Sequence, residues 1–461
     1  MRQVKFSRRV FIFGTALAAT GCVSSKPKIR RVSANEKLNI AGIGVGGQGK
    51  GDLRNCGTEN IVALCDVDWN RAADTFKTFP NAKRYKDFRV MLEKEKDIDA
   101  VVISTPDHTH AVAAMAAMEL GKHVRVQKPL THSIYEARKL MEAARRYGVS
   151  TAMGNQGHSG DGVRQMCEIL WSDAIGFVRE VHIWTNRPVW PQGIKRPAKT
   201  DPVPDYLDWD LWLGPAPERP YVNIHPDTNQ PCYCPFVWRG WWDFGCGALG
   251  DMACHIMDPA YWSLQLGLPT KVECVTQEGN NSETCPVKSI IKYEFPARPF
   301  RENYPSVKWY GKTLPPVTVY WYDGGLMPPR PEGVSPDEKL GDGDNGSYFV
   351  GEKGVATTGC YGGDTRLVPA AKMQDFKMPD PVIPRVPDGN SHQDWIRSCK
   401  DGKPHCANFD YASPFTEVVL LGNLAVRSGA PIEWDSGNMR VTNVPEANQF
   451  VKREYRKGWT L

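Results

Sequence analysis

The sequence predicts an α/β chain in two parts. An N-terminal doubly wound parallel sheet is followed by a second α/β domain built on a large, open, mostly antiparallel sheet. Between residues 38 and 156, short apolar runs alternate with amphipathic helical stretches, as strands joined by helical crossovers do. The first run opens onto a glycine-rich turn, "GIGVGGQGKG". Beyond about residue 156 the alternation gives way to strands separated by turn signals.

The elements begin after a leader. "MRQVKFSRRVFIFGTALAATGC" combines basic residues, an apolar stretch from Val10 to Ala19 and a small-residue ending, which is the composition of a removed targeting segment. That stretch is too short to span a bilayer. Arg8 and Arg9 in "SRRVFIF" resemble a twin-arginine export signal, and "ATGC" resembles a lipoprotein cleavage box with Cys22 as the lipidated residue. The expectation is a signal over residues 1–21, a polar tether over 22–37 and a periplasmic protein that meets the membrane through a lipid on Cys22. The net charge is +5, but Arg2, Lys5, Arg8 and Arg9 leave with the leader, so nothing points to nucleic acid. The cysteines are scattered, and Cys232-x-Cys234 stands without a second ligand pair, so no metal is expected.

From residue 38 the strands read "KLNIAGIG", "NIVALCDVD", "DAVVIST", "HVRVQKP" and "VSTAMGN". Helical patterns lie between them, notably Thr109 to Leu120 and the run after Ser133, where Ser133 and Glu136 have capping-box spacing. This first domain covers 38–156 and the second 157–461. The second opens with a helix over 162–172 and the strand "FVREVHIWTN". Residues 186–245 are rich in proline and tryptophan with little periodicity, which suggests a functional wrapping loop. "GALGDMACHIMDPAYWSLQL" reads as one helix. "KVECVTQE", "SIIKYEFPA", "TVYWYDG" and "SYFVGEKGVATTG" read as strands, and a helix over "SPFTEVVLLGNLAVRSG" precedes a basic tail.

Gly42, Gly44 and Gly47 form G-x-G-x-x-G directly behind a strand, the spacing that brings backbone N–H groups up to a pyrophosphate. Asp66 ends the next strand, placed to accept from a ribose hydroxyl. An acid there repels a 2′-phosphate, so NAD is expected rather than NADP. The third strand ends in Ser104, Thr105 and Pro106, beside the cofactor at the carboxyl edge of the sheet. His108 and His110, just beyond, either cap the next helix or join that surface. Lys128 follows the fourth strand, where a compact cation can polarise a carbonyl or hold an alkoxide.

These signals together resemble the Gfo/Idh/MocA family of oxidoreductases, which includes glucose-fructose oxidoreductase and inositol dehydrogenase. The likeness is carried by "GIGVGG", "CDVD", "STPDHTH", "QKP" and "GDMACHIMD". It implies an N-terminal Rossmann domain, a C-terminal α/β domain whose open sheet shelters the site, and a homo-oligomer, dimer or tetramer. Gly46 belongs to the cofactor turn in this reading. The family's Glu-Lys-Pro reads Gln127, Lys128, Pro129 here; without the carboxylate, Lys128 has no adjacent anion, which eases its deprotonation. The family's Asp-x-x-x-His pair falls on Asp251 and His255, one helical turn apart on one face. His255 suits proton transfer, and Asp251 would hold either His255 or the substrate hydroxyl.

Two stretches, "MGNQGHSGDGVRQ" and "WTNRPVWPQG", are similar to exported members of the family. They make Asn155, Gln156 and His158 candidates for nicotinamide or substrate contact, and Arg187 a candidate for a substrate oxygen. Trp184 stands in a tryptophan-rich region whose aromatic faces suit sugar C–H faces. A dinucleotide site in an exported chain implies NAD loaded before export, carried bound and regenerated on the enzyme. The expected chemistry is oxidation of a secondary hydroxyl of a small sugar or glycoside, with redox-neutral glycoside cleavage as the alternative. A non-catalytic carbohydrate-binding lipoprotein is the alternative of another class.

Overall fold

The computed structural model describes Pro27 and residues 29–461. The leader and Cys22 lie outside the described residues. The first domain runs β1 (Asn39–Ile43), α1 (Gln48–Asn55), β2 (Asn60–Cys65), α2 (Trp69–Thr78), β3 (Lys83–Tyr85), α3 (Phe88–Lys94), β4 (Ala100–Ile103), α4 (Asp107–Glu119), β5 (His123–Val126), α5 (Ile134–Tyr147) and β6 (Thr151–Met153). Its six strands pair in the order β3-β2-β1-β4-β5-β6, every pair parallel. Strand order reverses between β1 and β4, and the crevice at that switch point is where such sheets bind ligands. The five strands expected here are present. The sixth, β3, is a three-residue edge whose Lys-Arg-Tyr carries no apolar run. The Ser133–Glu136 box caps α5, with Glu136 N–H donating to Ser133 Oγ and Ser133 N–H to the Glu136 carboxylate.

The second part runs α6 (Asp161–Trp171), β7 (Val178–Thr185), α7 (Trp209–Leu213), α8 (Gly247–Ile256), α9 (Asp258–Ser263), β8 (Lys271–Glu278), β9 (Lys288–Phe295), β10 (Arg298–Pro299), β11 (Thr313–Leu314), β12 (Val317–Tyr322), β13 (Asn345–Gly351), β14 (Gly354–Thr358), β15 (Arg366–Val368), α10 (Lys372–Asp375), α11 (Ser391–Asp401), α12 (Phe409–Ser428), β16 (Ile432–Asp435) and β17 (Arg440–Val441). A nine-stranded sheet, β15-β14-β13-β7-β12-β9-β8-β16-β17, is antiparallel except where β7 meets β12. Burial alternates along β9, which turns Ile291, Tyr293 and Phe295 to the core. The helix expected over 247–266 is two, α8 and α9. Pro259 lacks the N–H that would continue the first helix and sits instead at the start of the second.

The chain's last third returns to the first domain. Trp395, Ile396 and Cys399 of α11 pack into the core formed by Leu38, Ile40, Leu53 and Ala152. Arg138 of α5 makes a two-pronged ion pair with Glu417 of α12 at 2.7 and 2.6 Å. Helix α11 escapes the sequence reading because "SHQDWIRSCKD" buries few apolar residues, and what it buries belongs to the other domain's core. Among the described residues no helix is long and apolar enough to cross a membrane.

Candidate active site

The turn after β1 follows from its glycines. Gly44 has φ +74°, and a Cβ there would stand 2.8 Å from the Ser104 backbone, so the turn can lie this close to β4 only without a side chain. Its N–H donates to Cys65 O at 2.8 Å. Gly42 packs inside against Leu53, while Gly46 and Gly47 lie under the side chain of Arg71, whose Nη2 is near Gly47. The Asp66 carboxylate accepts from the N–H groups of Val45 at 2.8 Å, Gly46 at 3.1 Å and Asp68 at 3.0 Å, and burial pushes its pKa up to about 6. A carboxylate offers about four acceptor positions, so one remains for a ribose hydroxyl.

Beneath the turn lies Asp52, buried and fully engaged. It accepts from Ser104 Oγ (2.7 Å), Gln127 Nε2 (2.8 Å), Gln48 Nε2 (3.0 Å) and His392 Nε2 of α11 (3.0 Å). Burial would raise this carboxyl, but the His392 hydrogen bond and the Arg125 charge outweigh it and hold it at about 2. The departure from Glu-Lys-Pro is thereby explained: residue 127 must donate to an anion, and a glutamate would set two carboxylates against each other. Gln127→Glu is expected to lose about 3 kcal/mol at pH 8, equivalent to a rise of about two pKa units in the new carboxyl. Because that group would titrate higher in the folded state than in the unfolded one, its penalty grows as pH rises through the acid range and shrinks toward pH 4. Melting curves of variant and parent at the two pH values check the sign.

Lys128 does have an adjacent anion, contrary to expectation. Its Nζ donates to Asp251 Oδ1 at 2.9 Å and to the Asp251 carbonyl at 2.7 Å. Arg239 Nε donates to the same Oδ1 at 3.0 Å, with its guanidinium stacked between Phe236 and Trp238 at 4.3 Å from each ring. Burial would raise the Asp251 carboxyl, but Lys128 and Arg239 hold it well below the usual carboxylate range. Asp251 is therefore engaged with two cations and does not hold His255. The His255 Nδ1 is buried without a partner among the described residues, and burial together with the Lys128 charge pushes its imidazole down to about 3, so the ring is neutral.

A crevice of about 390 Å³ runs between the domains along these groups. It brings together Gly44, Gly46, Asp66, Ser104, Thr105, Pro106, Gln127, Lys128, Gln156 and His255. Thr105 Oγ1 and both amide atoms of Asn155, the neighbour of Gln156, are buried without partners among the described residues. Orphaned polar atoms of this kind suit a polar ligand, and together with the turn they fit a dinucleotide.

Five candidates lie elsewhere, the first four for packing reasons. His108 sits between Trp212 and Phe244, its ring nitrogens facing the Trp212 and Phe244 carbonyls, and His110 bridges the Pro129 and Thr105 carbonyls at 2.9 Å each. Both brace the crevice wall. His158 is buried against Asp258, Trp262 and Tyr411. Trp184 is buried in an apolar cluster with Tyr322 and Tyr348, its Nε1 donating to Gly343 O. Arg187 is half-buried and donates to Asn186 Oδ1.

Residues 186–245 form an ordered strap with its own core, in which Trp209 and Trp212 stack at 4.8 Å beside Tyr233, Trp241 and Phe244. The strap crosses to the first domain at the end of β2: Trp69 N–H donates to Tyr206 O at 3.1 Å and Asp208 N–H to Val67 O at 2.9 Å. Trp212, Phe236, Trp238 and Arg239 thereby line the crevice, as do Arg71, Asp107 and Tyr361. These residues were missed. Arg71, five positions past Asp66 in the first turn of α2, carried a readable signal; the strap and Tyr361 carried none, because tertiary packing alone delivers them. The basic tail pins the strap in turn, with Arg456 bonded to Gly214 O and Asp210 O.

A glycine cradle at the switch point of a doubly wound sheet, with a lysine of the same domain beside it and a histidine and a carboxylate facing it from a second domain, defines a two-domain dinucleotide-dependent protein. Residues 38–155 match the model of the Gfo/Idh/MocA oxidoreductase family's NAD-binding Rossmann fold, and residues 174–296 match its C-terminal α/β domain. The chain belongs to this family. It is similar to a glycosyl hydrolase family 109 protein of Shewanella pealeana, 29% identical over 173 residues, covering 31% of this chain and 38% of that protein. It is also similar to inositol 2-dehydrogenase of Salmonella typhimurium, 30% identical over 151 residues, covering 32% of this chain and 44% of that protein. The chain thus spans less than half the length of these curated relatives. The fold is shared with the WlbA dehydrogenase of Bordetella pertussis, solved with NADH and UDP-GlcNAcA (TM-score 0.56, 15% identity, 87% of this chain and 99% of that one). It is shared also with aldose-aldose oxidoreductase of Caulobacter crescentus (TM-score 0.52, 15% identity, 87% and 100%).

Proposed function

We propose that this protein oxidises a secondary hydroxyl of a sugar or glycoside with an NAD that stays bound and is regenerated on the enzyme. The observation that carries the reading is the arrangement of Lys128 and Arg239 on one carboxylate, Asp251, beside the neutral imidazole of His255 at a dinucleotide crevice. NAD, when bound, supplies the reversible hydride chemistry. Lys128 spends two of its three N–H donors on Asp251, which leaves one for a substrate oxygen, and its charge stabilises an alkoxide there. His255 is neutral and its Nδ1 has no described partner, so it can accept a hydrogen bond from the hydroxyl and take its proton as the alkoxide forms beside Lys128. Of the two groups that sequence offered as base, the geometry favours His255, because Lys128 is committed to an ion pair.

The strap supports a captive cofactor: it crosses the edge of the first domain where the adenosine half of a dinucleotide lies in this fold. Truncating Trp212 to alanine is expected to cost about 3–5 kcal/mol of strap packing and to release the dinucleotide on dialysis, where the parent retains it. Dinucleotide content per chain after dialysis measures this. We include in the reading export by the twin-arginine-type leader, lipidation at Cys22 and a homo-oligomeric state.

The similarity to a glycosyl hydrolase family 109 protein favours a second reading, redox-neutral glycoside cleavage. A ketone acidifies the neighbouring C–H, which permits elimination of the attached group as a protonated leaving group; water then adds to the resulting double bond before the ketone is reduced again. Mass analysis of ligand released by denaturing the purified protein tests the shared premise. Its absence would leave the non-catalytic binding protein. Single-turnover reduction by a panel of sugars and glycosides, with product analysis, separates dehydrogenase from glycosidase.

A further inference from the structure

Tyr361 lies beyond both matched family regions, yet its ring reaches the crevice and stands 4.5 Å from that of His255. It is 45% exposed, and its hydroxyl bonds to no described protein group. Its backbone is left-handed, φ 59° and ψ 20°, a conformation non-glycine residues adopt at a cost. The surrounding loop holds it there. Gly359 N–H donates to Gly363 O at 2.6 Å, Cys360 N–H to the Asp342 carboxylate at 3.1 Å, and Thr365 Oγ1 to Gly362 O at 3.0 Å.

The facing segment is shaped to receive this loop. A Cβ on Gly157 would stand 2.9 Å from Tyr361 Cα, and one on Gly162 would stand 1.8 Å from Gly362 O. A large aromatic is therefore held in an unfavourable conformation, pressed against a glycine-lined wall, with its ring tilted 49° to the neutral imidazole of His255 and much of its surface open. Packing gives no reason for this expense, because an exposed ring contributes little burial. Ligand contact does.

We propose that Tyr361 is a positioning residue, the aromatic wall against which the sugar ring lies while its hydroxyl faces His255. The negative face of the phenol ring suits the C–H face of a pyranose. The inference rests on the sugar reading above and adds the element that orients the substrate. It assigns the work to the ring and none to the hydroxyl.

Two substitutions test it in the full chain with its bound dinucleotide. Tyr361→Gly suits the left-handed backbone, so the melting temperature and dinucleotide content should hold, while KM for the preferred sugar and its calorimetric dissociation constant both rise about ten-fold, with kcat changing less. Tyr361→Phe keeps the ring and should match the parent within about two-fold in both quantities, which amounts to less than one such contact. An unchanged KM in Tyr361→Gly, or a kcat loss in Tyr361→Phe equal to that in Tyr361→Gly, overturns the proposal while leaving the sugar reading intact. A parent protein that neither binds nor oxidises any sugar overturns both.

Discussion

Lys128→Met is expected to slow reduction of the bound dinucleotide by sugar about 10²- to 10³-fold, the loss typical of removing one donor from a developing oxyanion. Methionine nearly preserves the length of the side chain and leaves Asp251 paired with Arg239 at 3.0 Å, so the carboxylate is not stranded as an unpaired buried charge. Dinucleotide content and melting temperature should therefore stay close to those of the parent, and the deficit should appear in the single-turnover rate. Turnover equal to the parent's would remove Lys128 from the chemistry.

His255→Gln is expected to lose about 10²- to 10⁴-fold at pH 7, the usual contribution of a positioned base. A second consequence has the opposite sign. In the parent, this imidazole titrates at about 3 when folded against 6.5 for the free side chain, because it is buried beside Lys128. The unfolded chain thus takes up a proton between pH 6.5 and pH 3 that the folded chain refuses, and stability falls by about 1.4 kcal/mol per pH unit as pH drops through that window. Glutamine removes the linkage, so the variant should lose less melting temperature than the parent on going from pH 7 to pH 4.5. A small rate loss would return the role of base to Lys128. An unchanged acid sensitivity would mean that the ring is not buried and neutral as the geometry has it.

Much of the cofactor half was legible. The glycine turn, Asp66, the Ser104–Pro106 strand end and Lys128 sit on short consecutive βα units, where local spacing and strand polarity place each residue at the same edge of the sheet. Periodicity also sufficed for the capping box on α5 and for most strands of the second sheet. It failed at α11, whose few apolar residues belong to the other domain's core, and at His108, His110 and His158. Histidines near a binding motif look alike in sequence whether they face a ligand or a backbone carbonyl.

The partners of each charge were beyond sequence. Spacing of four on α8 correctly placed Asp251 and His255 on neighbouring turns, but it could not show that Asp251 turns to Lys128 and Arg239. Those groups stand 123 and 12 residues away along the chain. Likewise the glutamine at position 127 reads as a loss until Asp52 is found behind it.

The chain by itself determined a nucleotide-binding glycine turn, the order of the two domains and the strand end that carries Lys128 to the crevice, because those follow from backbone geometry repeated over short stretches. Tertiary structure alone decided which carboxylate neutralises which cation, how the strap closes the crevice and which aromatic stands beside His255. Electrostatic pairing and close packing act through space between segments far apart in sequence, and no local pattern encodes them.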